Sequence, residues 1–532
     1  MVAPYAKQNI EPIPLTIVGG TKFGRYPKIS QEQTYNMIIS DGALVDYAGY
    51  INKITLNPAG VGRGLYSSTR ANIMIAVVGD AIYRISSVLG TMFLLSIATT
   101  NGEVYIAENN GGQIAITDGV NIYVYDYNTN IVTTVTGLSL TASFLFNVSP
   151  GYISFQNGRF ILACLNTSTW LLSAFNDGTV WPNDSSHVGS LQSKPDTVQA
   201  AVPFPGKGNL LFLFGSNVVE PWVDVGAALF PYNRQNSYNV DYGCLNAASI
   251  ADLGEHTVWL AANEQSGPVI MVSDGNSIKE ISTDGLDFKF SGLTDPTDCV
   301  GFLIKLDGHL FYQFTFKTDN LSYIYDFDLN QFYTVSDENL NYHIARKVVF
   351  FNNQYYFVSF NDGNLYEFGT QYTNYQYAAD DIRQIPRIRI CPPLRLPSQR
   401  YYIIKSLSFM VENGQPNAIQ TKFFYSGDPI ALGSEDGNII GTENFIPIGL
   451  EQKANRGINE FQLASEAIDL SISRDGGVNW GNQLRRNMNP TGNRKSLFNY
   501  LRLGIANDSS IMIQCWGFGR FVLFDGVAEI YQ

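Results

Sequence analysis

Between residues 79 and 368 the chain runs five times from a tight turn straight into a short strand. The pieces are Gly79-Asp80-Ala-Ile-Tyr-Arg-Ile85, Asp118-Gly-Val-Asn-Ile-Tyr-Val-Tyr125, Gly215-Ser-Asn-Val-Val-Glu-Pro-Trp222, Asp274-Gly-Asn-Ser-Ile-Lys-Glu-Ile281 and Asp362-Gly-Asn-Leu-Tyr-Glu-Phe368. Gly, Asn and Asp supply the turn conformations, and alternating apolar and aromatic residues supply the strands. A second piece also recurs, as Tyr125-Asp-Tyr-Asn-Thr-Asn130 and Tyr325-Asp-Phe-Asp-Leu-Asn330. Equivalent positions are read at Ile82, Ile122, Trp170, Val219, Ile278, Ile324 and Leu365, spaced 40 to 59 residues apart. A repeat of several short strands every 40–50 residues is the signature of propeller blades. One blade cannot bury both of its apolar faces; a closed ring of blades can. The reading is an all-β protein with a six- or seven-bladed β-propeller over residues 55–375. A multi-sheet sandwich with chance similarity between hairpins is the competing reading.

The flanks differ in texture. Residues 1–54 open with Pro4, Pro12, Pro14, Pro27 and Gly19-Gly20, which reads as an extended arm. Ile10, Ile13, Leu15, Ile17 and Val18 give that arm apolar anchors for docking. Residues 376–532 read as a C-terminal β-sandwich-type interface domain. It begins with a stretch holding Arg383, Arg387, Arg389, Arg395, Arg400 and Lys405, punctuated by Pro386, Pro392, Pro393 and Pro397. That stretch reads as an edge or surface segment. Its cations are candidate protein-interface residues, with a solvated edge as the alternative.

Composition narrows the functions. The 532 residues carry 34 Lys+Arg against 47 Asp+Glu, net −13. From Asp380 onward there are 16 basic and 15 acidic residues, so the first 379 hold a net −14. A generic nucleic-acid binder would be basic. The 31 Tyr, 33 Phe and 48 Gly suit short strands and turns, not helical bundles. Five scattered cysteines without a CxxC pair suggest neither disulfides nor a thiolate metal site. The opening residues lack the apolar core of a secretory signal, and no apolar run is long enough for a membrane span. Assembly in a reducing cytoplasm, without stable membrane insertion, is the expectation.

Catalytic patterns are missing. The histidines are His187, His256, His309 and His343, with neither HxH nor HExxH spacing. There is no GxSxG elbow, phosphate loop or dinucleotide fingerprint. The Asp326-to-Asn330 run faintly resembles half an EF-hand, but Gln331 and Asp337 stand where Gly and Glu are required. Its twin at Asp126–Asn130 makes it a repeat-unit turn. The sharpest local match is Ser473-Arg-Asp475-Gly-Gly477-Val-Asn-Trp480, the S-x-D-x-G-x-x-W Asp box. Asp475 can accept backbone N–H groups, the glycines permit positive φ, and Trp480 returns to the sheet. The box is read as a structural turn. No catalytic residue, metal or cofactor is assigned.

A collinear series of pieces carries a resemblance. It runs through Tyr35-Asn36-Met37, Gly49-Tyr50, Pro58-Ala-Gly60, Arg63-Gly-Leu-Tyr66, Ile82-Tyr83-Arg84, Phe214-Gly-Ser-Asn-Val-Val-Glu220 and Tyr242-Gly-Cys244. It ends with Leu470-Ser-Ile-Ser-Arg-Asp-Gly-Gly-Val-Asn-Trp-Gly481 and Asn499-Tyr-Leu-Arg-Leu503. The order resembles the tail hub, or nozzle, of short-tailed bacteriophages, the packaged DNA stabilisation protein family. The resemblance implies a non-enzymatic virion protein in the phage tail. It implies a homo-hexameric ring beneath portal and adaptor proteins, carrying fibres, spikes or a needle, with double-stranded DNA passing through without sequence-specific binding. The basic segment after Asp381 matches no motif of that family. A carbohydrate-binding or carbohydrate-cleaving propeller is the alternative, motivated by the Asp box and the many Tyr and Trp side chains.

Overall fold

The strands form where apolar and β-branched residues run between Gly, Asn and Asp turns. The computed structural model describes residues 10–25, 32–136, 148–182, 184–204, 206–227, 230–235, 240–253, 255–396, 400–414, 466–488 and 495–531. Residues 1–9 and 26–31 of the expected arm, with Pro4 and Pro27, lie outside them. Six four-stranded antiparallel units follow in chain order, at residues 62–96, 105–136, 150–190, 198–234, 251–280 and 300–334. A seventh takes three strands from residues 345–369, and its fourth from the N-terminal region.

Seven apolar clusters hold this ring, one at each junction between neighbouring blades. The strand Asn121–Asp126 shows how a single sequence serves two junctions. Ile122 and Val124 join the cluster shared with the third blade, while Tyr123 and Tyr125 join the one shared with the first. Successive side chains point to opposite faces, and both faces are covered, so the strand is apolar throughout. The last cluster packs Leu65, Met74 and Val78 of the first blade against Tyr356, Val358 and Leu365 of the seventh. The propeller is therefore closed and has seven blades.

Labelling the N-terminal strands β1 (Ile10–Leu15), β2 (Gln33–Tyr35), β3 (Met37–Ser40), β4 (Ala43–Asp46) and β5 (Gly49–Thr55) shows where the expected boundaries shift. β5 pairs antiparallel with Asn364–Gly369, from Thr55 opposite Asn364 to Gly49 opposite Gly369. It is the outer strand of the seventh blade, so the propeller begins at residue 49. On its other side β5 pairs in parallel with Asn374–Gln376. There a Cβ on Gly49 would lie 2.4 Å from the Asn374 carbonyl oxygen, and only glycine allows the approach.

The other N-terminal strands belong to the C-terminal sandwich. One of its sheets runs β3, β4, Arg520–Tyr531, Tyr402–Gly414, Lys495–Ala506, with β1 also paired to Arg520–Tyr531. The facing sheet holds β2, Arg387–Ile390, Ser510–Trp516, Ala467–Ser473 and Leu484–Asn487. Leu15, Ile17, Met37 and Leu44 share the core between them with Leu407, Phe409, Ile468, Ile513 and Leu523. The arm thus docks as its apolar residues suggest. β2 also pairs in parallel with Gln331–Thr334, the outer strand of the sixth blade. One nine-stranded sheet therefore runs from the propeller into the sandwich.

Six of the seven positions read as equivalent lie on third strands of their blades; Ile278 does not. It lies on Ile278–Glu280, the fourth strand of the fifth blade, whose third strand is Val269–Ser273. The Asp274-Gly275 turn joins third to fourth strand, whereas Asp118-Gly119 and Asp362-Gly363 join second to third. The same turn chemistry serves both ends of a blade, and this displaced the register by one strand.

His343 is fully buried between the sixth and seventh blades, edge-on to Tyr50 and near Phe357 and Phe368. Its Nδ1 accepts the Ala345 N–H at 3.3 Å, and Nε2 has no hydrogen-bond partner. Burial depresses its pKa from 6.5 to about 3. The unfolded chain takes up a proton below about pH 6.5 that the native state refuses. Stability is expected to be complete above that pH and to fall as pH drops toward 3, by at most about 1.4 kcal/mol per pH unit from this group. Urea midpoints at pH 7, 5 and 4 should show a shallower decline for His343→Leu than for the parent chain.

Candidate functional site

The basic segment falls into two groups. Arg387 and Arg389 are 1% and 0% exposed, on a strand flanked by β2 and Ser510–Trp516. The expectation that they face a partner is corrected: this is a central strand of the nine-stranded sheet, not an edge. Arg387 grips both Asp46 carboxylate oxygens, at 2.7 and 3.0 Å. It also donates to the carbonyls of Ile385, Thr373, Gly517 and Gly519, and its guanidinium lies 4.9 Å from the Phe521 ring centre. Arg389 donates to the Ile17 and Gly20 carbonyls, the Thr34 hydroxyl and the Glu32 carboxylate. Each guanidinium is satisfied within the chain, as a buried cation must be.

The remaining cations lie at the surface. Arg383 is paired with Asp381 and Glu338 and lies over the Tyr377 ring. Arg395 forms a two-pronged pair with Asp508 at 2.8 Å. Lys405 pairs with Glu529 at 2.9 Å, and Arg400 is exposed. These pairs use part of each cation's capacity and leave it accessible. Along the neighbouring strand Lys495–Ala506, Leu497, Leu501 and Ile505 are exposed. Sequence reading missed them, because alternation alone does not say which face of a strand is covered.

The Asp box forms the turn between Ala467–Ser473 and Leu484–Asn487. Asp475 accepts the backbone N–H groups of Val478 and Asn479 and the Ser473 hydroxyl. Gly476 and Gly477 have φ of 73° and 95°. Ser473 and Trp480 meet across a β-bridge. The hydrogen bonds, led by that from Asn479, hold the exposed Asp475 carboxyl down to about pKa 2. Every motif residue is used by the turn.

Inner-strand residues including Tyr105, Tyr152, Phe302 and Lys347 line a pocket of about 240 Å³ at the centre of the propeller. Lys347 donates to the Ala248 carbonyl at 3.2 Å, and enclosure by the walls lowers its pKa. These residues come from different blades, and no local motif marks them. No helix among the described residues is long and apolar enough to cross a membrane.

Seven closed blades, joined through a shared sheet to a sandwich, define a β-propeller protein with a fused β-sandwich. The family model described as "Bacteriophage P22 Gp10, beta-propeller" matches residues 25–373, well over half the chain. The chain belongs to this family of structural phage proteins. No curated protein matches. Among solved structures it is similar to virginiamycin B lyase from Staphylococcus aureus, at 10% identity and TM-score 0.41, over 60% of this chain and 98% of that one. It is also similar to the N-terminal domain of Nup159, at 10% identity and TM-score 0.39, over 60% and 95%.

Arg387→Ala is expected to leave Asp46 buried without its counter-charge and to lower folding stability by about 3–5 kcal/mol. Arg395→Ala removes only a surface pair and should cost less than about 1 kcal/mol. Denaturant titration of both variants checks the contrast.

Proposed function

We propose that this chain is the tail hub, or nozzle, of a short-tailed phage. Six copies form a ring that continues the portal–adaptor channel, retains packaged DNA and carries fibres, spikes or a needle. The observation that carries the reading is membership of the P22 Gp10 family across the propeller. Physical features support it. The space at the propeller centre is a pocket of about 240 Å³ lined mainly by aliphatic residues with Tyr105, Tyr152 and Phe302, too small for a duplex whose major groove alone is about 12 Å wide. DNA would therefore pass between copies, which requires a ring. A net −14 over the first 379 residues repels phosphates. Strong phosphate contacts would slow exit and make it steeply salt-dependent. Retention then falls to steric closure by loops or by a plug protein.

Arg383, Arg395, Arg400 and Lys405 are the cations available for partner contacts, since Arg can pair bidentately with carboxylates across an interface. Leu497, Leu501 and Ile505 add apolar surface of the kind found at protein interfaces. The test is co-assembly with portal and adaptor proteins, viewed by electron microscopy. The expected result is a sixfold ring below the adaptor, with DNA-retaining particles only when this chain is present. Particles that keep their DNA without it would overturn the reading. Combined Arg395→Glu and Arg400→Glu should reduce tailed particles while leaving the melting temperature of the isolated chain nearly unchanged. Undiminished assembly would remove these arginines from the interface.

A further inference from the structure

We propose that the rim of the sixth blade holds a transition-metal dication of the Zn²⁺ or Co²⁺ type, bound by His309, Asp326 and Asp328. His309 opens the strand His309–Phe316, Asp326 ends Leu321–Asp326, and Asp328 lies in the following turn. One potential ligand atom from each lies within 4.8 Å of the other two. His309 Nδ1 stands 2.9 Å from Asp326 Oδ2. Asp326 is fully buried, His309 has 19% of its side chain exposed, and Asp328 reaches solvent. An ion would thus meet one imidazole and two carboxylates between buried Asp326 and the solvent.

The repeat shows that the turn forms without this full set, although Asp328 Oδ2 here also accepts the Leu310 N–H at 2.8 Å. In the second blade, Asp126 Oδ1 accepts the N–H groups of Asn128 and Thr129 at 2.8 and 3.3 Å. In the sixth, Asp326 Oδ1 accepts those of Asp328 and Leu329 at 2.9 and 3.3 Å. Tyr125 donates to Asn130 at 2.8 Å, and Tyr325 to Asn330 at 2.9 Å. Both asparagines take positive φ, 58° and 53°. Tyr127 N–H reaches the Gly112 carbonyl as Phe327 N–H reaches that of Leu310. The turns are the same object, and register matches Gly111 to His309 and Asn128 to Asp328. The second blade closes its turn without the imidazole and without the second carboxylate.

The donor set selects the ion. Two carboxylates alone suit Ca²⁺ or Mg²⁺, whereas an imidazole nitrogen among them favours Zn²⁺ and its neighbours. Three protein ligands leave a fourth position for water. Such an ion would clasp the second and third strands and the outer turn of the blade whose fourth strand pairs with β2. The competing account is an ion pair between His309 and buried Asp326 that needs no metal.

The test uses the full chain stripped with chelator and titrated with ZnCl₂ by calorimetry, with CoCl₂ visible absorption reporting coordination. The expected result is saturable Zn²⁺ binding and a raised melting temperature. Affinity should fall at least about tenfold in both His309→Gln and Asp328→Asn, the scale on which altered metal shells act. Asp328→Asn installs the residue that the twin turn already uses, so it should fold; should it not, His309→Gln and the cobalt spectrum decide. Asn128→Asp adds a carboxylate to the twin and should leave binding unchanged. Absence of saturable Zn²⁺ binding, Zn²⁺ affinity in both variants unchanged from the parent chain, or Ca²⁺ binding as tight as Zn²⁺ and untouched by His309→Gln would each overturn the proposal.

Discussion

The Arg387–Asp46 pair is the contact on which the arrangement of the two domains rests. Asp46 ends the short N-terminal strand that precedes propeller closure. Arg387 sits where the chain enters the sandwich. Its remaining N–H groups collect carbonyls from Thr373, just past the seventh blade, and from Gly517 and Gly519, near the C-terminal strand. One guanidinium thus joins the segment just past the seventh blade to an N-terminal strand and to the C-terminal region, both far away in sequence. Asp46 also accepts the Phe521 N–H, so both members of the pair are held by backbone. A buried ion pair is weak evidence for net stability against an apolar alternative, but losing one partner is severe. Its directionality, with every donor matched, fixes one relative placement of strands that apolar packing alone would leave looser.

Arg389 does the same for the N-terminal arm. A strand with prolines at residues 12 and 14 has few ladder hydrogen bonds to give. Arg389 compensates by binding the Ile17 and Gly20 carbonyls, while Asp525 accepts the N–H groups of Ile17 and Val18. The consequence is mechanical. Propeller and sandwich are joined by a continuous hydrogen-bonded sheet, and β5, which follows β4 of the sandwich, is anchored in the seventh-blade sheet between Asn364–Gly369 and Asn374–Gln376. Load on the sandwich therefore passes into the blades through ladders, not through a flexible tether. That suits a structural virion component.

Much of the propeller was legible because its information is local. A turn residue and the strand it starts sit within eight positions, so Ile82, Ile122, Val219 and Leu365 could be aligned by eye. Ile278 shows the limit of that logic, since identical Asp-Gly chemistry closes either end of a blade. The closure by β5 was not legible, because Tyr50 and Phe368 are more than three hundred residues apart and nothing in either strand names its partner. The buried arginines failed for the same reason. Arg-Ile-Arg-Ile alternates as an edge strand should, and the carboxylates that neutralise it, Glu32 and Asp46, lie at the other end of the chain. The Asp box was readable because the hydrogen bonds of Ser473 and Asp475 that shape its turn fall within seven residues.

Those two pairs also change what the charge distribution means. By sequence the first 379 residues carry −14 and the rest +1. Glu32 and Asp46 belong to the first part, and Arg387 and Arg389 to the second. Setting the two neutral pairs aside leaves −12 on the first part and −1 on the second. Residues 380–532 are then close to neutral, not basic. The propeller keeps its excess of negative charge, so the repulsion of DNA phosphates survives the correction. Under the proposed tail-hub function, attachment through residues 380–532 would rest on placed side chains such as Arg395 and Arg400 and on apolar surface, where shape and pairing geometry decide, since their near-zero net charge gives no long-range attraction.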